Sequence, residues 1–112
     1  MKRNVSTIAG RTDMIPITPN APPATPPKFP QGRVAITANA ARRIPWQALK
    51  EGLRRHSTGD WGDLDPQDAR SNDDALVRGG RLLSAYGHGG QRFWIITEAD
   101  RTATTILLPE DY

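Results

Sequence analysis

The sequence predicts an α+β fold. It is a single small domain of order β-α-α-α-β-β-β, an antiparallel meander sheet with helices packed on one face, preceded by a disordered proline-rich arm. Three observations predict it. Seven of the 10 prolines fall between Pro16 and Pro30. Residues 38–77 carry the start and stop signals of successive helices. The remainder alternates apolar and polar residues at the period of a strand, in runs separated by glycine-rich or charged turns.

The arm comes first. Pro19–Pro30 holds only Phe29 as a large apolar side chain. Such a stretch buries too little surface to offset the entropy of ordering it. Residues 1–31 therefore read as a disordered, basic, proline-rich arm, and residues 32–112 as the compact domain.

In Arg33–Thr37, Val34 and Ile36 share one face of a short strand. Thr37 is placed to cap a brief helix from Ala38 to Arg43. Pro45 breaks the chain at Ile44 and opens a second helix, Pro45–His56. Trp46, Leu49 and Leu53 would form its buried stripe. Arg54, Arg55 and His56 lie in its last turn, where cations offset the helix dipole. A third helix runs from Pro66 to Val77, with Asp65 at the N-cap, Pro66 at the first position and Asp68 in the first turn. Ala69, Asn72, Leu76 and Val77 are the residues for its inner face. Gly79-Gly80 ends it.

Three strands follow: Arg81–Tyr86, Gln91–Glu98 and Ala103–Leu108. Phe93, Ile95 and Thr97 fall on one face of the second, with Trp94 and Ile96 on the other. Whether the first strand joins this meander is left open by the sequence.

Composition excludes several classes of function. The 112 residues contain no cysteine, so disulfides and thiolate metal sites are ruled out. No apolar segment follows Met1-Lys2-Arg3, and no run approaches the ~18 apolar residues of a membrane span. A soluble, intracellular protein is the expectation. The net charge of +3 is unevenly spread. Residues 1–55 carry ten Lys or Arg against two acids, a balance of +8. Residues 56–112 carry five Arg against ten acids, a balance of −5. A basic first half suits an acidic partner such as nucleic acid, and an acidic second half suits a basic one. A solvated, self-complementary surface accounts for the same division.

Signals for catalysis are weak. Asp60, Asp63 and Asp65 surround Trp61, but their spacing does not fit a calcium loop. Glu98, Asp100 and Arg101 share a tight turn, where Arg101 can neutralise either acid. His56 and His88 lack any paired ligand spacing. There is no nucleophile motif, and Gly87-His88-Gly89-Gly90 opens onto a strand without the lysine of a phosphate loop. No catalytic or metal-binding residue is assigned, no cofactor is expected, and the chain does not read as an enzyme. The less favoured alternative is a metal-dependent enzyme using Glu98 and Asp100 or the Asp60–Asp65 loop. Arg42, Arg43, Lys50, Arg54 and Arg55 form a row that can track phosphates, or an ordinary solvated face.

The run GDWGDLDPQD, the pair Asn72-Asp73, GGRLLSAY and FWIITEADRTATTILLPEDY resemble a family of short proteins carried by plasmids, integrative elements and phages. The likeness covers Gly59–Tyr112. That family has no established activity. The resemblance implies an accessory role on a mobile genetic element, such as countering host defence. The leading expectation is therefore a stoichiometric inhibitor of a host defence complex, of anti-CRISPR or anti-restriction type, acting by protein–protein contact. Its candidate partner-binding residues are Asp60, Trp61, Asp63, Arg92, Trp94, Glu98, Asp100 and Arg101. The alternative is a small nucleic-acid-binding protein for plasmid maintenance or regulation, working through Arg42, Arg43, Lys50, Arg54 and Arg55.

Overall fold

The computed structural model describes residues 13–17 and 26–112. Among these, five strands form one sheet: β1 (Met14–Pro16), β2 (Arg33–Thr37), β3 (Leu82–Tyr86), β4 (Phe93–Thr97) and β5 (Ala103–Leu107). Helices α1 (Ala38–Arg43), α2 (Trp46–Ser57) and α3 (Pro66–Arg78) lie between β2 and β3. The fold is the expected α+β domain. The spatial order is β1-β2-β5-β4-β3. β3, β4 and β5 make the antiparallel meander. β2 does join it, parallel to β5, with Ile36 opposite Ile106.

Period two assigns the faces. Val34, Ile36, Ile106, Ile95 and Phe93 point to the helices, where Ala40, Ile44 and Leu49 complete the main core. The other face centres on Ile96 and Leu107, covered by Met14, Leu83, Trp94 and Tyr112. A third cluster of Phe29, Trp61 and Leu82 seats α3 through Leu64, Ala69 and Leu76. Helix ends follow their signals. Thr37 accepts from the Ala40 N–H at 3.1 Å, and Asp65 accepts from the Asp68 N–H at 2.9 Å. Each satisfies an amide that the helix leaves without an internal partner.

Three expectations need correction. First, part of residues 1–31 belongs to the fold. Met14–Pro16 pairs antiparallel with β2, and Phe29 is buried against the rings of His56 and Trp61. Pro16 is tolerated because the strand is an edge, where one side needs no donor. Residues 1–12 and 18–25 of the expected arm lie outside the described residues. Second, Trp46 is not in the buried stripe of α2; it is 50% exposed. Ile44 enters the core just before it, and Leu49, Gly52 and His56 make the inward stripe. Third, Val77 is 85% exposed rather than turned inward. On α3 the inward positions go to Ala69, Asn72 and Leu76.

Both edges of the sheet are managed. On β3, the Asn72 amide and the Trp61–Asp63 loop take up the free backbone groups of Leu83 and Ala85. On β1, Pro16 removes a donor. These devices blunt edge-to-edge association.

Candidate functional site

The acidic loop after α2 is built by the backbone. The Ala85 N–H donates to the Trp61 carbonyl at 3.1 Å, and the Asp63 N–H donates to the Ala85 carbonyl at 2.7 Å. Gly62 sits between them at φ 76, where a Cβ would fall 2.1 Å from the Ala85 carbonyl oxygen. Trp61 is therefore core and not surface. It is 5% exposed, and its indole N–H donates to Asp73 at 2.9 Å. Asp60 accepts both arms of the Arg55 guanidinium at 2.8 and 3.1 Å, and that bonding holds its carboxyl below the usual range. Asp63 accepts from Arg92 at 3.3 Å. Asp65 is spent on the cap of α3. Each carboxylate has a separate job, and the three do not converge on one point. Among the described residues no group of three or more His, Cys, Asp or Glu side chains is placed to hold a metal ion.

The turn between β4 and β5 is also structural. Glu98 is 7% exposed, and its carboxylate lies 3.9 Å from the Arg81 guanidinium. Asp100 accepts from the Thr102 N–H at 3.1 Å and its hydroxyl at 2.6 Å, a local Asx turn. Arg101 takes φ 62 and sends its guanidinium inward over the Phe29 ring. There it donates to the carbonyls of Gly80 (2.6 Å), Glu98 (3.1 Å) and Ala75 (3.1 Å). Arg101 thus ties α3 to the sheet. Trp94 is half-buried, edge-on to Tyr112 at 5.9 Å. Tyr86 is buried on the helix side, and its hydroxyl donates to the Asp60 carbonyl at 2.6 Å. Of the eight candidate contact residues, Trp61 and Glu98 are buried, and Arg101 is partly buried with its guanidinium turned inward.

The basic row is mostly paired. Arg43 meets Glu110 at 2.7 Å, Arg54 grips Glu51 at 2.6 and 3.0 Å, and Arg55 grips Asp60 while lying over the Tyr86 ring. Arg42 donates only to the neutral side chain of Asn39, and Lys50 has no carboxylate in reach among the described residues. The row therefore keeps two uncompensated cations of five.

Sequence reasoning missed the most polar part of the core. His56 is fully buried between Ser84 (Nδ1 to Oγ, 2.5 Å) and Thr97 (Nε2 to Oγ1, 2.8 Å). Thr97 contacts Thr104 at 2.7 Å, and Thr104 donates to the Gln31 carbonyl at 2.7 Å. A carbonyl can only accept, so the direction of every proton in the chain is set. Thr97 donates to Thr104, His56 Nε2–H donates to Thr97, and Ser84 donates to Nδ1. Burial drives the His56 pKa down to about 3, so the ring is neutral. The available signal was its spacing: His56 is seven residues after Leu49 and three after Leu53, on the apolar stripe. A serine hydroxyl donating to a neutral imidazole is the arrangement of an activated nucleophile. Here Ser84, Thr97 and Thr104 are all fully buried, so no substrate reaches them. His88 is exposed in its loop.

Fold and site together define a small α+β protein whose ionisable groups are committed to structure or spread over the surface. Comparison with known protein families, curated proteins and solved structures finds no match.

Proposed function

We propose that this chain is a binding protein of a mobile genetic element. It inhibits a host defence complex, of anti-CRISPR or anti-restriction type, by stoichiometric contact. One observation carries this. The groups that chemistry would need are buried or tied into the fold, whereas α3 presents exposed carboxylates, with Asp73 accepting the Trp61 indole N–H and Asp74 in an exposed pair with Arg78. Asp68, Asp73 and Asp74 are exposed on this helix, and Val77 follows at 85% exposure. Exposed carboxylates complement a groove that normally holds nucleic acid, and the exposed aliphatic of Val77 on the same helix supplies a desolvated contact.

The test is protection of incoming DNA. A host carrying a restriction or CRISPR effector, with this chain co-expressed, should accept a targeted plasmid about tenfold or more efficiently, the change that ~1.4 kcal/mol of competition produces. The purified chain should form a complex of fixed stoichiometry with that effector. Reversal of Asp74 to Lys should abolish protection with little change in thermal stability, because its exposed pair with Arg78 contributes only ~0–1 kcal/mol. Unchanged plasmid acceptance with every effector tried would overturn the proposal.

A further inference from the structure

The geometry points to a second interaction surface, on the first turns of α2, whose occupant we infer to be single-stranded nucleic acid. It uses a different helix from the proposed inhibitory face and does not depend on inhibition.

Among the described residues the exposed large apolar side chains are Ile15, Trp46 and Val77, and Trp46 is the aromatic one. An indole is costly to leave in water, because it is the largest apolar surface a side chain offers. Trp46 is nevertheless turned out of the core, and Ile44 and Leu49 fill the space on either side of it in the chain. Lys50 stands four residues on, so it neighbours the indole on the same face of α2. Arg42 and Arg43 end α1 just before it.

The charge here is net positive. Arg42, Arg43, Lys50 and Arg54 stand against Glu51 and Glu110, four cations to two carboxylates, leaving +2. No acidic residue lies in the first turn of α2. The paired cations remain available, because exposed ion pairs of this kind contribute only ~0–1 kcal/mol and exchange readily with another anion.

A half-exposed indole flanked by unpaired cations matches an unpaired base beside its phosphates. The base stacks on the ring, and Lys50 and Arg42 meet the backbone. A duplex hides its base faces, so it would gain only the charge. An acidic peptide would satisfy the cations and leave the indole without a planar partner.

The test is fluorescence anisotropy of labelled oligothymidylate and oligouridylate with the full chain. Binding should weaken with salt, with a log–log slope of about −1.4 for two phosphates on a single strand. W46A should weaken it about five- to hundredfold, the range expected for loss of one stacked base. W46F should retain most of the affinity, and K50E and R42E should each flatten the salt dependence. R70E, on α3, should change nothing. Trp46 is exposed, so W46A should melt at the temperature of the parent protein, and a melt confirms it. Any of three results would overturn the inference: no binding at low salt, binding indifferent to W46A and K50E, or equal binding of a duplex. Displacement by polyglutamate as effective as by oligothymidylate would also overturn it, in favour of an acidic protein partner. Failure of plasmid protection leaves this inference standing, and its own failure leaves inhibition through α3 standing.

Discussion

Asn72 clamps Leu83. Its side-chain amide donates to the Leu83 carbonyl at 2.6 Å, and its side-chain oxygen accepts from the Leu83 N–H at 3.2 Å. Leu83 lies on β3, whose far side has no partner strand among the described residues. One asparagine on α3 thus supplies what a neighbouring strand would supply, both bonds at once, and it fixes the helix to the sheet edge.

Replacement by alanine leaves a donor and an acceptor unpaired at a site that is largely buried. Each such group costs ~1–3 kcal/mol. N72A should therefore lower stability by about 2–4 kcal/mol in urea denaturation. N72D should be no better, since a carboxylate keeps the bond to the Leu83 N–H but sets an acceptor against the Leu83 carbonyl. If N72D matched the parent, the clamp would not be two-sided.

The buried His56 predicts acid sensitivity. Its folded pKa, about 3, lies below the ordinary 6.5 because burial disfavours the charged ring. The unfolded chain therefore binds the proton first as pH falls. This contribution to stability is full above about pH 6.5, and it is lost progressively as pH drops toward about 3. The slope approaches ~1.4 kcal/mol per pH unit within that window. Denaturation midpoints from pH 7 down to pH 4 would show it. Nitrogen NMR should find the neutral ring protonated on Nε2 across the same range, as the proton direction from Thr104 requires. An imidazolium signal in the folded protein at pH 5 would contradict the buried chain.

Asp111 closes the C-terminal turn onto α1. Its carboxylate accepts from the Thr37 hydroxyl at 2.6 Å, the Asn39 amide at 2.8 Å and the Leu108 N–H at 3.0 Å. Thr37 is itself the cap of α1. D111A should release all three and lower stability by about 2–4 kcal/mol, since bonds to charged groups are worth ~1.5–3 kcal/mol each and are not additive. T37V, which also loses the cap, should cost less together with D111A than the two costs summed. Strict additivity in that double-mutant cycle would show that the two do not act as a unit.

Much of this fold is legible in the residues. The three helices and the meander follow from caps, glycine stops and period-two runs, because those signals are local. What escaped is non-local. Met14–Pro16 is three residues with a proline, and only the presence of β2 makes it a strand. Phe29 is a lone apolar residue in a proline-rich stretch; its burial depends on the distant rings of His56 and Trp61. Helical spacing put Trp46 on the face of Leu49 and Leu53, but spacing does not tell how far the core extends along a helix. The acidic loop was legible as a helix start, and its separate ion pairs to Arg55 and Arg92 were not, since both depend on chain folding.

Gly52 offers a test of packing in which local propensity and tertiary contact oppose each other. It lies in the middle of α2, where alanine is normally better than glycine by ~0.8–1.0 kcal/mol. Here a Cβ would fall 2.8 Å from two atoms of the Phe93 ring and 3.2 Å from Tyr86. Phe93 is 2% exposed and Tyr86 is 4% exposed, so neither ring can swing into solvent. Overpacking of this kind costs ~1–3 kcal/mol and outweighs the helix gain. G52A should therefore destabilise, by about 1–2 kcal/mol in urea denaturation. F93L alone should destabilise as well, because it leaves a cavity. Combined, the methyl of residue 52 enters the space that the ring vacates, and the double variant should be more stable than the two separate costs predict. A G52A protein more stable than the parent would mean that α2 and β4 do not approach as closely as the glycine allows.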